Sequence, residues 1–90
     1  MNLDLSREAL DLLREVAESK TGEFTKLVFD RTVKFELNGN TLNDPTSDRS
    51  TADWEKAKDQ LLGYEFIEEL TEGIFTVTRA GLDYASSHLK

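Results

Sequence analysis

Between Lys26 and Leu37 the chain alternates polar and apolar residues, and a period of two cannot line one face of a helix. Leu27, Phe29, Val33, Phe35 and Leu37 share one parity, while Lys26, Asp30, Lys34 and Glu36 share the other. The pattern predicts two half-buried strands, about Glu23 to Phe29 and Thr32 to Leu37, broken at Asp30-Arg31, with the odd-numbered apolar set facing the core. Asn38-Gly39 follows as a hairpin signal, because a tight type I′ turn needs positive φ at both central positions. A short return strand from Asn40 to Leu42 completes the segment.

Helical periodicity flanks these strands. Leu5, Ala9, Leu12, Leu13, Val16 and Ala17 recur at steps of three and four, which predicts a helix from about Leu5 to Ser19. Asp4 or Ser6 supplies its cap, and Gly22 suits the left-handed stop. Asn43 to Ser47, with the single Pro45, reads as a loop. Ser47 then caps a helix from Asp48 to Tyr64 with Trp54, Ala57, Leu61 and Leu62 inward, and Lys58 runs its stem over the core edge. Phe66–Leu70 and Ile74–Val77 read as a hairpin around Gly73, with Phe75 and Val77 toward the core. Thr78 caps a last helix, Arg79 to His88, with Leu82 and Ala85 turned inward.

One stretch carries a family pattern. Leu61-Leu62-Gly63-Tyr64-Glu65-Phe66-Ile67 leads into a short acidic hairpin, then Phe75-Thr76-Val77-Thr78-Arg79-Ala80-Gly81-Leu82-Asp83-Tyr84-Ala85. From Trp54 to Ala85 the chain resembles the second half of bacterial winged-helix domains, with a tail similar to that of MarR- and PadR-type regulators, and as a whole it is more similar to uncharacterised bacterial and phage winged-helix-like domains. The resemblance implies an α+β, winged-helix-like fold in the order helix, strands, helix, β-hairpin wing, helix. It also implies that the Asp48–Tyr64 helix stands where a recognition helix would. The expectation is one such domain over residues 1–90. The motif itself speaks of structure: Thr78 caps the helix and Gly81 permits close packing, so it reports fold rather than function.

Composition narrows the chemistry. The chain has no cysteine, which removes disulfides, thiolate metal sites and cysteine nucleophiles together. The N-terminus lacks the basic flank and apolar run of a signal peptide, and no apolar stretch approaches the roughly 20 residues that span a bilayer. A cytoplasmic protein without membrane association is the expectation. The net charge is −7. Residues 21–43 balance three acids with three bases, and every other segment holds more acids than bases. Polyanion binding ordinarily leaves a basic footprint.

Candidate contact residues fall in two groups. Arg49, Lys56 and Gln60 lie on the expected outer face of the Asp48–Tyr64 helix, where they could meet phosphates or base edges, although Asp53, Glu55 and Asp59 offset the cations. Glu68, Glu69 and Glu72 make the expected wing acidic, which opposes phosphate and suits a basic protein surface. Lys26, Arg31 and Lys34 read as a solvated sheet face with Asp30 and Glu36 among them. His88, the sole histidine, cannot form a triad with its helical neighbour Ser87 and with Asp83. Asp44 and Asp48 match no calcium loop, and the aromatics fall at core spacings. No phosphate loop or catalytic carboxylate pair is legible, so no catalytic residue, metal or cofactor is expected. The sequence therefore favours a non-catalytic binding module for protein contacts, with a winged-helix DNA-binding or regulatory domain as the alternative. It identifies neither the partner nor the oligomeric state.

Overall fold

The computed structural model of the chain describes residues 5–37, 39–43 and 50–88. Its elements run α1 (Arg7–Glu18), β1 (Glu23–Phe29), β2 (Thr32–Leu37), β3 (Asn40–Thr41), α2 (Thr51–Gly63), β4 (Ile67–Thr71), β5 (Ile74–Val77) and α3 (Arg79–His88). Every strand pairing is antiparallel, and the five strands form one sheet in the order β3-β2-β1-β5-β4.

This topology corrects the winged-helix expectation. Among the described residues the fold is α+β, with three helices and a five-stranded antiparallel sheet. A helix-turn-helix needs a helix packed just before the recognition helix, and here that place holds β1, β2 and β3. The β4–β5 hairpin is not a free wing either. β5 pairs with β1 through Glu23–Thr76, Phe24–Phe75 and Thr25–Ile74, so the hairpin is built into the sheet. Helix α2 lies against α1 and the sheet as a core element, burying Trp54, Ala57 and Leu61.

The second correction concerns which parity faces inward. Asp30 and Arg31 form a two-residue connection that sets Phe29 opposite Thr32, Val28 opposite Val33 and Lys26 opposite Phe35. Asp30 turns the chain at a φ of 53°. In such a hairpin an odd residue always pairs with an even one, and paired residues share a face. The inward set is therefore Phe24 on β1 with Phe35 and Leu37 on β2, all buried. Leu27 and Phe29, expected inward, lie on the opposite face. Val28 has the inward parity but sits near the hairpin tip, 61% exposed.

The core gathers Leu12, Leu13 and Val16 of α1, Trp54 and Leu61 of α2, and Phe24, Phe35, Ile67 and Phe75 of the sheet. The Phe24 and Phe75 rings stack across the β1–β5 pair at 5.0 Å between centroids. Burying each such ring contributes about 2–3 kcal/mol. No charged or polar residue is among the buried set of the described residues.

Helix ends follow local chemistry. Ser6 caps α1 by accepting from the Ala9 amide. Ser50 and Asp53 form a reciprocal capping box on α2, so α2 begins at Thr51; Ser47, the expected cap, lies outside the described residues, as do Asp4 and Asn38. Thr78 ties the last turn together. Its hydroxyl accepts from the Gly81 amide at 3.1 Å and donates to the Glu65 carbonyl at 2.6 Å. Gly81 has no room for a methyl group, because a Cβ there would lie 2.2 Å from the Phe66 carbonyl oxygen. On α3 it is Gly81 and Ala85 that are buried; Leu82, expected inward, is 41% exposed. Close approach at Gly81 puts that turn of the helix nearest the sheet and rotates Leu82 away.

Candidate interaction surface

With Phe24, Phe35, Phe75 and Ile67 turned toward the helices, the alternate residues of each strand define the other face of the sheet. By register, β1 contributes Glu23, Thr25, Leu27 and Phe29, while β2 contributes Thr32, Lys34 and Glu36. Ile74 and Thr76 come from β5, Glu68 and Thr71 from β4 and Thr41 from β3. None of these residues is buried, so no described element covers this face. An antiparallel sheet can leave one face to water, but such a face is normally polar.

This face is only partly polar. Phe29 is 56% exposed and Ile74 36%, and half-buried Leu27 stands between them. Thr25 pairs with Ile74 across β1–β5, which makes Leu27 and Ile74 diagonal neighbours. Leu27 and Phe29 are two apart on one strand. The three residues form a diagonal apolar line. Beyond Ile74, exposed Leu70 occupies the β-bulge between Glu69 and Thr71. Threonines fill most remaining positions. Glu23, Glu36 and Glu68 are the acids of the face, and Lys34 is its cation.

The residues singled out from sequence scatter over this architecture. Arg49 lies outside the described residues. Lys56 is exposed on α2. Gln60 is half-buried, and its Oε1 accepts the Ser6 amide at 2.9 Å, so it joins α2 to the cap of α1 rather than facing outward. Glu68 is on the uncovered face. Glu69 is on the helix-side parity, opposite Phe75, and its carboxylate accepts the Gly73 amide at 3.0 Å to close the β4–β5 turn. Glu72 sits in that turn and borders a groove shared with Leu27. The acidic hairpin therefore presents its charges to different sides.

Sequence reading missed the ionic cluster beside this groove. Lys26 has the inward parity and reaches α2, where it pairs with Glu55. Lys58 pairs with Glu55 and with Asp59, at 3.2 Å each, and its ammonium lies 5.8 Å from the centre of the Phe75 ring. Burial alone would raise the Glu55 carboxyl, but the hydrogen bonds from Lys26 and Lys58 outweigh it and hold Glu55 below its ordinary value of 4.5. Burial likewise opposes the Lys58 charge, and its bonds to Asp59 and Glu55 outweigh that, raising Lys58 above 10.5. The Asp30-Arg31 turn puts Lys26 on the same face as Phe35, and the burial of Phe35 and Leu37 makes that face the inward one. The open groove next to the cluster, about 430 Å³, is lined by Lys26, Lys58, Leu62, Glu69 and Phe75 among others. Its lysines are already paired with Glu55 and Asp59, which suits a clamp between β1 and α2 better than a ligand site.

A run of stacked rings was also missed: Tyr64 on Phe66, Phe66 on Tyr84, and Tyr84 on His88, with centroids 5.8, 4.9 and 4.4 Å apart. It fastens α3 to the α2–β4 connection and engages His88 in packing. Among the described residues no group of three or more His, Asp or Glu is placed to hold a metal ion, and no helix is long and apolar enough to cross a membrane. Comparison with known proteins finds no matching family model, no matching curated protein and no matching solved structure.

Proposed function

We propose that this chain is a non-catalytic binding module that works through protein contacts, and that its contact surface is the uncovered face of the sheet. The observation that carries this reading is the diagonal of Leu27, Phe29 and Ile74, standing where no described element covers it. Exposed apolar side chains gathered on one face, rather than scattered singly, mark interaction sites. Interface cores favour aromatic and aliphatic anchors over charge. Glu23, Glu36 and Glu68 outnumber Lys34 on this face and oppose a nucleic-acid backbone, whose counterions only basic side chains would displace.

Site-specific photo-crosslinking in the source cell tests the proposal. A crosslinker at Leu27, Phe29 or Ile74 should yield an adduct with one defined protein, while the same group at Ala52 or Lys56 on α2 should not. Adducts formed only from α2 would overturn the reading. So would submicromolar binding to a labelled duplex with a steep salt dependence.

A further inference from the structure

Resting on that reading, we infer that the uncovered face takes a basic amphipathic helix, whose apolar stripe lies along Ile74, Leu27 and Phe29 and whose lysines or arginines meet the surrounding glutamates. Three features of the sheet point to this occupant.

The edges are closed to strand addition. At the β4 edge, the bulge between Glu69 and Thr71 interrupts the ladder, and Glu68 and Glu69 stand on the two sides of the strand. Bulges and charges of this kind block edge-to-edge pairing. At the other edge, β3 pairs with the end of β2, and Asn43 completes the protection with its side chain. The Asn43 Oδ1 accepts the Phe35 amide at 3.1 Å, and its Nδ2 donates to the Val33 carbonyl at 2.6 Å and to the Thr51 hydroxyl at 2.8 Å. These bonds occupy the Phe35 amide and the Val33 carbonyl, and β3 itself is only two residues long, a short edge that offers little to a new strand. A partner must therefore come through side chains on the face.

The apolar line has the length of a short helix stripe. Leu27 and Phe29 are two residues apart on one strand, about 7 Å. Leu27 and Ile74 are diagonal neighbours across a strand pair, about 7–8 Å apart. The line thus spans roughly 15 Å, which about ten helical residues match at 1.5 Å each.

Charge sets the sign of the partner. Glu36 on β2 lies on one side of the line, and Glu23 and Glu68 lie across its base; Lys34, opposite Leu27, is the cation among them. A helix with cations flanking its apolar stripe complements this frame. A second copy of the chain, with net charge −7, would bring like charge against it.

The test uses the whole chain, isotope-labelled for NMR, and two synthetic peptides. Each is about eighteen residues long, so that the helix is not too short to form. Both place leucine at helical three-four spacing; one carries lysine elsewhere and the other glutamate. The lysine peptide should move the amide signals of Thr25, Leu27, Lys34, Ile74 and Thr76 while leaving α1 and α2 unmoved. It should bind at least about tenfold more tightly than the glutamate peptide. Changing Glu23, Glu36 and Glu68 together to Gln should weaken it about tenfold, since three exposed pairs each contribute modestly. Changing Leu27 and Phe29 to Thr should abolish the shifts. Equal binding of the two peptides, shifts confined to the helical side, or no shifts at all would overturn the inference. Photo-crosslinking separates the levels. Adducts from Leu27 to an acidic or non-helical segment overturn the basic-helix inference and leave the contact face standing, whereas no adduct from Leu27, Phe29 or Ile74 removes the face itself.

Discussion

The two faces of the sheet are made from the same five strands but meet opposite surroundings. Toward the helices stand Phe24, Phe35, Leu37, Ile67 and Phe75, every one buried. On the other side stand Thr25, Thr76, Glu23, Glu36 and Glu68, with Leu27, Phe29 and Ile74 among them and none buried. Hydrophobic side chains on the first face lower the free energy of the fold. On the second they do so only weakly, since water still reaches them. Apolar residues are therefore informative where they fail to be buried: the helix-side phenylalanines account for stability, and the exposed diagonal calls for a different explanation.

Substitutions on the two faces should differ in their effect on stability. The largest effect is expected on the helix side. Phe24→Ala or Phe35→Ala should destabilise the fold by about 3–5 kcal/mol in denaturant titration, whereas Phe29→Ala should cost less than about 1 kcal/mol. A comparable loss at Phe29 would mean that the second face is covered. Gly81→Ala comes next, at about 2–3 kcal/mol, because its methyl group meets a backbone oxygen that only a shift of α3 could clear. Glu55→Gln follows, at about 1–2 kcal/mol, since it leaves the half-buried Lys26 and Lys58 without their shared carboxylate.

The same cluster gives a pH signature. Glu55 is held below its ordinary value in the folded chain. Its contribution is therefore present above the unfolded-state value near 4.5 and is lost as pH falls through the lower, folded one. Stability measured against pH should drop on the acid side, and Glu55→Gln should flatten part of that drop. Lys58 is raised, so its contribution fades only as pH climbs past 10.5. The smallest effect has the opposite sign. Glu65 is an exposed non-glycine residue at a φ of 61°, and Glu65→Gly should stabilise by about 0.5–1 kcal/mol, the relief of left-handed backbone exceeding the added chain entropy.

Much of this architecture was legible in the residues. The period-two pattern places β1 and β2, the three-four stripe places α1, and Thr78 with Gly81 foretells both the cap and the close packing of α3. What was not legible came from long-range choices. The acidic hairpin looks the same in sequence whether it is a free wing or, as here, pairs with β1. The outward turn of Leu82 follows from Gly81 meeting the Phe66 carbonyl, a contact that no local pattern announces. Two residues at Asp30-Arg31 oblige odd to face even, so Leu27 and Phe29 cannot share a face with Phe35 and Leu37; which pair turns inward is set by packing against the helices. Reading both strands with one parity hid the apolar diagonal and the inward Lys26 together. Of the candidate contact residues, Glu68 lies on the uncovered face, while Glu72 borders the groove beside Lys26 and Lys58. Gln60 and Glu69 bond within the fold, which neither charge nor helical position reveals.

One triple variant separates a role of the uncovered face in contact from a role in stability. Leu27, Phe29 and Ile74 changed together to Thr, a residue at home in strands, should leave the chain folded, within about 1 kcal/mol of the parent for side chains already open to water. The same change should eliminate the adduct formed from a crosslinker placed at neighbouring Thr25. An unfolded variant would show that the face belongs to the core, and a folded variant that keeps its adduct would show that the contact lies elsewhere.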